Sequence, residues 1–371
     1  MANQQMLGLI NLQDSRVLPD LNETRPLATM PIGGKYRLID FTLSNMVNAG
    51  INNVGLLLSH QSRSMLDHIR SGKEWGLAHK GDGLFYLPLD VQDILNPPTG
   101  DITTFYKNLR FVQRGLSPYI LISNATMVEN IDFDRVLHFH RRNNADVTLV
   151  YSEMKNPSSR DGFVLTTDDK DRITGITLQN GLQVGDKYYH RQMLIDTNIY
   201  QHAVRRAFAR GYNSFMTDVI IKNVDRLRVF GYNFTGYART IDSLGSYYRA
   251  NMDLLKLDVW RDLFFQDQRH IYTKIKDEAP AKYMEESLVK NSIIANGCVI
   301  EGHVENSIIF RKVRIGKNAV VRNSIIMQHS VIGDDACLDN VICDKDTIIQ
   351  PDAVLSGTAD APLCIRKCSV L

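Results

Sequence analysis

The sequence predicts an α/β protein in which a domain with a mostly parallel sheet is followed by a C-terminal left-handed parallel β-helix. Two observations carry this prediction. In the N-terminal two thirds of the chain, continuous apolar runs alternate with helix-like stretches, and after residue 290 a four-residue motif recurs at nearly constant steps. The 371 residues suffice for two domains, since one domain takes roughly 100–200 residues.

The N-terminal apolar runs have the composition of strands that are buried on both faces. They are Val54–Leu58, Tyr119–Ser123 and Val147–Tyr151. Four neighbouring stretches have helical patterning: Arg37–Ala49, Ser62–Arg70, Ile102–Arg114 and Phe133–Asn143. Apolar runs without alternation, separated by helices, indicate a parallel sheet that is covered by helices.

The C-terminal part contains an internal repeat. Asn-Ser-Ile-Ile occurs at Asn291–Ile294, Asn306–Ile309 and Asn323–Ile326, with a weaker copy at Asn340–Cys343, so the steps are 15, 17 and 17 residues. Aliphatic residues recur every six positions within each step, and a small residue follows many of them four positions later. This spacing is typical of a β-helix, in which three short strands make a coil of about 18 residues. Ordinary meandering strands are the alternative, and four copies in register argue against them.

The β-helix prediction also assigns burial and boundaries. The last isoleucine of each motif should point into the coil, so we expect Ile294, Ile309 and Ile326 to be buried. The predicted organisation has three segments: a domain over 1–247, a linker over 248–284 and the β-helix over 285–371.

Composition excludes several classes of protein. Lys+Arg 43 against Asp+Glu 41 leaves a net charge of +2, without the basic excess of a nucleic-acid-binding protein. The longest apolar runs are far shorter than the ~20 residues of a membrane span, and the N-terminus has no signal-peptide pattern. The 5 cysteines contain no C-x-x-C pair and are expected to be reduced. We therefore expect a cytoplasmic protein that binds neither nucleic acid nor membrane.

Several long sequence blocks point to one family. They are Pro31–Gly50 (PIGGKYRLIDFTLSNMVNAG), His68–Trp75, Ile199-Tyr200, Asp218-Val219 and Tyr247–Asn251. These blocks resemble those of the bacterial glucose-1-phosphate adenylyltransferases, also called ADP-glucose pyrophosphorylases, and the resemblance covers nearly the whole chain. It implies that the first domain is a Rossmann-like nucleotidyltransferase domain and that the β-helix is left-handed.

The catalytic positions of that family are not kept in this sequence. Enzymes of this kind neutralise phosphate charge with a glycine-rich loop, a basic residue, two Mg²⁺-binding aspartates and a Glu-Lys-Pro block. The loop position here, Asn11–Arg16, has no glycine; it keeps Arg16 but adds Asp14. The resemblance places Thr126 and Thr240 at the two aspartate positions. An apolar Leu-Ala pair stands at the basic position, and Leu-Gln-Asn stands at Glu-Lys-Pro. We therefore predict no catalytic residue, no metal and no cofactor.

A set of basic residues suggests a different site. In the family, basic residues of this region help to bind a phosphorylated effector. The corresponding residues here, with two near the C-terminus, are Arg25, Lys35, Arg37, Arg366 and Lys367. The alternative is a solvated basic surface without a ligand.

The pattern as a whole resembles the non-catalytic subunits that accompany a catalytic subunit in glycogen synthesis of some Gram-positive bacteria. It implies a regulatory partner in a hetero-oligomer, with a tetramer expected. One alternative is an active nucleotidyltransferase with a rebuilt metal site, for which the nearby acids are Asp14, Asp101, Glu129 and Asp132. Another is a hexapeptide acyltransferase that uses His303 or His329 as a general base.

Overall fold

The computed structural model describes residues 5–13, 18, 21–22, 25–59, 61–79, 81–89, 100–155 and 158–371. Contacts within the chain divide it into two compact units. The first unit comprises residues 1–14, 41–238 and 268–270, and the second comprises residues 15–40, 239–267 and 271–371. Two segments from the N-terminal two thirds of the chain thus belong to the same unit as the hexapeptide repeats.

The first unit contains both strands and helices, and β8 to β11 follow one another without a helix between them. Its strands are β1 (Met6–Asn11), β4 (Asn53–Leu57), β5 (Gly83–Leu87), β6 (Tyr119–Ser123), β7 (Met127–Glu129), β8 (Val147–Glu153), β9 (Ser158–Thr167), β10 (Ile173–Leu182), β11 (Lys187–Asp196) and β12 (Val229–Asn233). Its helices are α1 (Leu38–Asn48, of which the first turn is counted with the second unit), α2 (Arg63–Ile69), α3 (Ile102–Lys107), α4 (Leu109–Arg114), α5 (Phe133–Arg142), α6 (Thr197–Ala209) and a π-helix at Phe215–Ile220.

A nine-stranded sheet forms the centre of the first unit. Its main order is β10-β9-β11-β6-β1-β4-β5, and β8 and β12 continue from β11. The pairs β1–β4, β1–β6, β4–β5 and β8–β12 are parallel, whereas β9, β10 and β11 pair in antiparallel fashion. Leu9 stands opposite Gly55 on one side and Ile122 on the other. The predicted parallel sheet is confirmed, and the apolar runs are its central strands.

The four helix-like stretches form helices, with one difference. The stretch predicted over 102–114 is two short helices, α3 and α4, which meet at Asn108. The Asn108 side-chain amide donates to the carbonyl oxygen of Thr104 at 2.9 Å. An asparagine that bonds to the preceding turn competes with the helical hydrogen bonds, which accounts for the break.

Among its described residues the second unit combines two hairpin strands, one further strand, two α-helices and fifteen short strands. The first of these are β2 (Pro31–Ile32), β3 (Tyr36–Arg37), β13 (Ala238–Thr240, whose first residue is counted with the first unit), α7 (Leu244–Asp253) and α8 (Leu257–Phe264). The fifteen strands are β14 (Lys282–Tyr283), β15 (Leu288–Lys290), β16 (Ile293–Ile294), β17 (Val299–Ile300), β18 (His303–Glu305), β19 (Ile308–Ile309), β20 (Arg314–Ile315), β21 (Val320–Arg322), β22 (Ile325–Ile326), β23 (Val331–Ile332), β24 (Cys337–Asp339), β25 (Val341–Cys343), β26 (Ile348–Ile349), β27 (Val354–Ser356) and β28 (Leu363–Ile365).

The fifteen strands form three parallel sheets of five, β14-β17-β20-β23-β26, β15-β18-β21-β24-β27 and β16-β19-β22-β25-β28. Each coil contributes one strand to each sheet, which is the predicted left-handed β-helix. Ile309 and Ile326 are fully buried in it, as expected. The prediction was wrong for Ile294, which is only partly buried. Ile294 belongs to the first strand of its sheet and has a neighbouring coil on one side only.

The repeated asparagine and serine have distinct backbone roles. Asn291, Asn306, Asn323 and Asn340 all have positive φ, between 44° and 54°. Asparagine adopts this left-handed conformation more readily than most residues, so it suits the corner of a coil. The serines form a ladder across the coils: each Oγ of Ser292, Ser307 and Ser324 accepts a backbone N–H from the next coil at 3.1 Å.

Helix α7 and the β2–β3 hairpin are attached to the β-helix within the second unit. Tyr247 donates its hydroxyl to the carbonyl oxygen of Pro31 at 2.5 Å, and Asn251 accepts the N–H of Gly33 at 3.1 Å. Tyr248 donates to the carbonyl oxygen of Asn323 at 2.6 Å. The family block at 247–251 therefore connects the Gly-Gly loop to the repeats.

None of the helices among the described residues is long and apolar enough to cross a lipid bilayer.

We predict that Ile326→Ala lowers the free energy of unfolding by about 2–5 kcal/mol, because it leaves a cavity in a fully buried layer. Val331→Ala, an exposed position on the next strand, β23, should change it by less than about 1 kcal/mol. Urea unfolding of both variants measures the difference. Equal costs at the two positions would contradict the inward orientation of the motif isoleucines.

We also predict that Asp101→Asn changes how stability depends on pH. Asp101 accepts the N–H of Phe215 at 2.7 Å. Burial, followed by the charge of Asp218, raises the pKa of Asp101 to about 6 from 3.8. The folded chain therefore binds this proton more tightly than the unfolded chain, so wild-type stability falls as pH rises from about 4 to about 6.

The asparagine retains an acceptor oxygen but cannot ionise, so the variant should lack this component of the pH profile. Asp168→Asn is a control of opposite sign, because the N–H groups of Arg172 and Lys170 lower the pKa of Asp168. Thermal unfolding between about pH 2 and about pH 8 covers both effects, because the Asp168 component is lost only as pH falls below about 4. An Asp101→Asn profile parallel to the wild type would refute the assignment.

Candidate functional site

The predicted loop position begins at the carboxyl end of the central strand β1. Asn11 is the last residue of β1, and its side-chain oxygen accepts the N–H of Gln13 at 3.0 Å. The Gln13 side-chain oxygen in turn accepts the hydroxyl of Thr104 at 2.9 Å. Side-chain amides thus occupy the start of this loop. Asp14 and Arg16, the other predicted residues here, lie outside the described residues.

At the predicted position of the first Mg²⁺-binding aspartate the chain has a buried, neutral hydroxyl group. Thr126 is 2% exposed and donates its hydroxyl to the side-chain oxygen of Asn124 at 3.0 Å. The backbone carbonyl of Asn124 accepts a second hydroxyl, from Thr42, at 3.3 Å. The segment that would present a carboxylate to a metal ion therefore holds its polar groups in hydrogen bonds with one another.

The acid nearest to Thr126 in sequence is engaged by two strand residues. Glu129, at the end of β7, is 1% exposed. One of its oxygens lies 2.9 Å from Nδ1 of His190, and the other accepts the side-chain amide of Gln192. Both partners come from β11 and are also buried. Sequence reasoning missed this cluster, because its members are about sixty residues apart in the chain and meet only through the fold.

Two of the other acids proposed for a rebuilt metal site, Asp132 and Asp101, have structural roles. Asp132 caps helix α5 by accepting the N–H groups of Asp134 and Arg135 at 3.0 and 3.3 Å. Asp101 accepts the N–H of Phe215. Within the described part of the chain, no group of three or more histidine, cysteine, aspartate or glutamate residues is arranged to hold a metal ion.

The second aspartate position belongs to the second unit. Thr240 ends β13 and is half-buried, and its neighbour Arg239 forms an ion pair with Asp253 at 2.6 Å. The residues at the Glu-Lys-Pro position lie on β10, where Leu178 is 60% exposed. The predicted second aspartate position and the predicted Glu-Lys-Pro position thus hold neither a lysine nor a carboxylate.

The five predicted anion-binding residues all belong to the second unit. Arg25 differs from the rest because it is buried and paired. Its guanidinium donates to a carboxylate oxygen of Asp344 at 2.7 Å and to the carbonyl oxygen of Leu21 at 2.9 Å. Arg25 therefore connects its segment to the β-helix, and the carboxylate of Asp344 neutralises its charge.

Three further cations, Lys276, Arg311 and Lys345, interact electrostatically with the predicted set. Partial burial and the charge of Arg311 lower the pKa of Lys35, and partial burial followed by Arg311 and Arg37 lowers the pKa of Lys276. Burial, with Arg25, Arg37 and Lys367, lowers the pKa of Lys345 to about 7 despite the opposing charge of Asp344. The Nε of Arg311 is buried without a hydrogen-bond partner among the described residues. Cations from the N-terminal segment, from Lys276 and from three corners of the β-helix thus influence one another's pKa.

Sequence reasoning missed Lys276, Arg311 and Lys345. The last two could have been found from the repeat, because they stand at equivalent positions of their coils. Arg311 and Lys345 each stand two residues after the last residue of their motif strand, β19 and β25, and Lys367 stands two residues after β28. Backbone hydrogen bonds connect these corners from coil to coil, as in Cys368 N–H to the carbonyl oxygen of Lys345 at 3.1 Å. Gln328 occupies the intervening coil. Arg366 lies on the exposed last corner, where its carbonyl oxygen accepts from Thr347.

Two family models match the chain. The model described as "Nucleotidyl transferase" matches residues 15–177, and the model described as "GlmU-like, C-terminal hexapeptide" matches residues 279–361. Together with the sheet and the β-helix, they place the chain among proteins that join a nucleotidyltransferase domain to hexapeptide repeats.

Comparison with similar proteins shows to which family within this class the chain belongs. "Glycogen biosynthesis protein GlgD" from Bacillus subtilis (strain 168) is 39% identical over 99% of this chain and 97% of the relative. The protein of the same name from Geobacillus stearothermophilus is 42% identical over 99% and 98%. A "Glucose-1-phosphate adenylyltransferase" from Clostridium botulinum (strain Alaska E43 / Type E3) is 34% identical over 87% and 84%. The chain belongs to the bacterial glucose-1-phosphate adenylyltransferase family, as the sequence blocks predicted.

We predict that Arg25→Met destabilises the folded chain by about 3–5 kcal/mol, because it leaves the buried Asp344 carboxylate without its partner. Asp344→Asn should also be destabilising, and the double variant should lose less than the sum of the two. Urea unfolding of the three variants forms a double-mutant cycle. Additive losses would show that the two side chains do not act as a pair.

Proposed function

We propose that this chain acts in glycogen biosynthesis as the non-catalytic, regulatory subunit of ADP-glucose pyrophosphorylase. In this proposal it pairs with the catalytic subunit in a cytoplasmic hetero-oligomer, as a tetramer. The names of the two full-length relatives support the pathway. The observation that carries the lack of catalysis is the first aspartate position, where a buried threonine bonds to Asn124 and no carboxylate is available.

The energetics favour inactivity. A catalytic metal ion supplies several kcal/mol of charge stabilisation, and each ~1.4 kcal/mol changes a rate tenfold. Thr126 and Thr240 lack the charge that holds Mg²⁺, and Glu129 is already bonded to His190 and Gln192. Loss of the metal ligands together with the glycine loop and the sugar-phosphate lysine should remove essentially all activity.

Both ends of the β-helix support an oligomer. In the first coil Tyr283 and Leu288 are 51% and 60% exposed, and in the last coil Val354 is 75% exposed. Strands β14, β15 and β16 are the first of their sheets, and β27 and β28 are the last of theirs, whereas β26 pairs with the C-terminal residue Val370. Open strand edges and exposed apolar side chains are features that a partner subunit covers.

We further propose that the convergent cations bind a phosphorylated small-molecule effector. Lys35, Arg37 and Lys367 of the predicted set contribute, together with Lys276, Arg311 and Lys345. The support is electrostatic. Neighbouring cations lower the pKa values of these lysines, because like charges repel one another, and an anion bound among them would relieve that repulsion. Guanidinium and ammonium groups are the donors that phosphate prefers.

We predict that the purified chain has no ADP-glucose synthesis activity alone but stimulates the catalytic glucose-1-phosphate adenylyltransferase of the same organism. A conformational bias of ~1–3 kcal/mol would change apparent affinity or activation by roughly 5–150-fold. The effect should saturate at a fixed subunit ratio. Rate measurements on each chain and on mixtures decide this. Synthesis by this chain alone, or a mixture that behaves as the catalytic chain by itself, would refute the proposal.

Two sets of variants sharpen this test. Thr126→Asp combined with Thr240→Asp should not restore activity, because the loop and the sugar-phosphate lysine are still absent. Val354→Asp, at the exposed end of the β-helix, should weaken association with the catalytic chain, whereas Val331→Asp, on a side of the β-helix, should not. Size-exclusion chromatography of each mixture reports association independently of activity.

A further inference from the structure

A cleft of about 660 Å³ lies on helix α8 and the residues that follow it, all within the second unit. Its lining combines three large apolar side chains with three polar ones: Leu257, Trp260 and Phe265, and Arg261, Asp262 and Gln266. Leu257 and Phe265 are 61% and 71% exposed. The volume is within the range of clefts that bind small molecules. None of these six residues belongs to the catalytic positions or to the cation cluster.

The tryptophan of the cleft is held in place by other aromatic rings. Trp260 packs against Phe264 with the ring centroids 4.5 Å apart, and Phe264 in turn stacks on Tyr36 at 5.0 Å and an interplanar angle of 15°. Trp260 itself is partly exposed. A surface tryptophan that is fixed in this way offers an apolar face to a ligand with little loss of conformational entropy on binding.

The polar groups lie beside the aromatic rings because of the helical spacing. Phe265 donates its N–H to the carbonyl oxygen of Arg261 at 3.0 Å, so the two residues are one turn apart on one stripe, and Asp262 and Gln266 form the neighbouring stripe. The Gln266 side-chain amide donates to Asp262 at 3.3 Å, which orients both groups. A guanidinium, a carboxylate and an amide together supply donors and acceptors that suit hydroxyl groups.

We propose that this cleft binds a linear chain of glucose units, with one pyranose ring against Trp260, the next against Phe265, and their hydroxyl groups bonded to the polar side chains. A pyranose has an apolar face of C–H groups, which packs on aromatic rings, and a rim of hydroxyl groups that donate and accept. A purely apolar ligand would leave the three polar groups of the cleft without partners. The choice of an α-1,4-linked glucan rests on the proposed role in glycogen biosynthesis.

The two tryptophans of the chain make a specific test possible. Trp75 is buried in the first unit, so a fluorescence change on addition of a sugar reports on Trp260, and Trp75→Phe leaves Trp260 as the single tryptophan. We would titrate the full-length chain and this variant with maltoheptaose, which is α-1,4-linked, and with cellohexaose, which is β-1,4-linked. We expect a saturable change in both proteins and tighter binding of maltoheptaose than of cellohexaose.

Substitutions in the cleft identify the binding surface. Phe265→Ala should weaken maltoheptaose binding by about tenfold, equivalent to about 1.4 kcal/mol, and the exposed position of Phe265 means that the fold should be unaffected. Arg261→Met, which removes a donor to hydroxyl groups, should also weaken binding. Leu116→Ala is the matched control, because it shortens an exposed apolar side chain of the first unit, and it should bind maltoheptaose as the wild type does.

The outcomes are distinct. No fluorescence change with maltoheptaose, or a change that Phe265→Ala leaves intact, would overturn the inference, and equal binding of the two sugars would overturn the assignment to an α-1,4-linked glucan. Size-exclusion chromatography adds a further criterion: if Phe265→Ala alters the elution of the chain, alone or mixed with the catalytic chain, a protein surface covers the cleft and the inference is wrong. Stimulation of the catalytic chain is measured without added glucan, so failure of the glucan site and failure of the proposed function are distinguishable.

Discussion

The buried ion pair between Arg25 and Asp344 is the contact on which the second unit depends. Its partners are 319 residues apart in sequence, and the pair is almost completely shielded from water. A buried pair of this kind contributes less net stability than its Coulomb attraction suggests. Removal of one partner, however, leaves a buried charge without compensation and strongly destabilises the folded state. It therefore specifies where the N-terminal segment lies on the β-helix more than it adds to the total stability.

That placement has consequences for the neighbouring charges. Arg25 occupies Asp344, while Asp40 and Glu278 face Arg311 and Glu278 also pairs with Lys312 at 3.0 Å. The Tyr247 and Asn251 contacts hold the Gly-Gly loop, and with it Lys35 and Arg37, in the same unit. Contacts of neighbouring residues thus hold Lys35 and Arg37 in this unit.

The sequence predicted the parts of the fold that follow from periodicity. A strict repeat determines which side chains point inward, and so Ile309 and Ile326 were assigned correctly, whereas Ile294 was not because a repeat does not show where stacking begins. The pairing of Arg25 with Asp344 and the Glu129–His190–Gln192 cluster were beyond prediction, since they join segments that no local pattern connects. Lys345 was predictable in part. Alignment of the coils places it in one column with Arg311 and Lys367, but its burial and its neighbours can be known only from the structure.

The family blocks and the catalytic positions report on different properties of the chain. Gly33 has a φ of 58°, and a Cβ there would lie 2.8 Å from the side chain of Leu254, so glycine is needed at this position for packing. Tyr247, Tyr248 and Asn251 are needed for hydrogen bonds to the hairpin and the repeats. These requirements hold whether or not the chain transfers a nucleotide. The blocks by which the family is recognised therefore report on packing and hydrogen bonding, and the chemistry must be argued from the few catalytic positions alone.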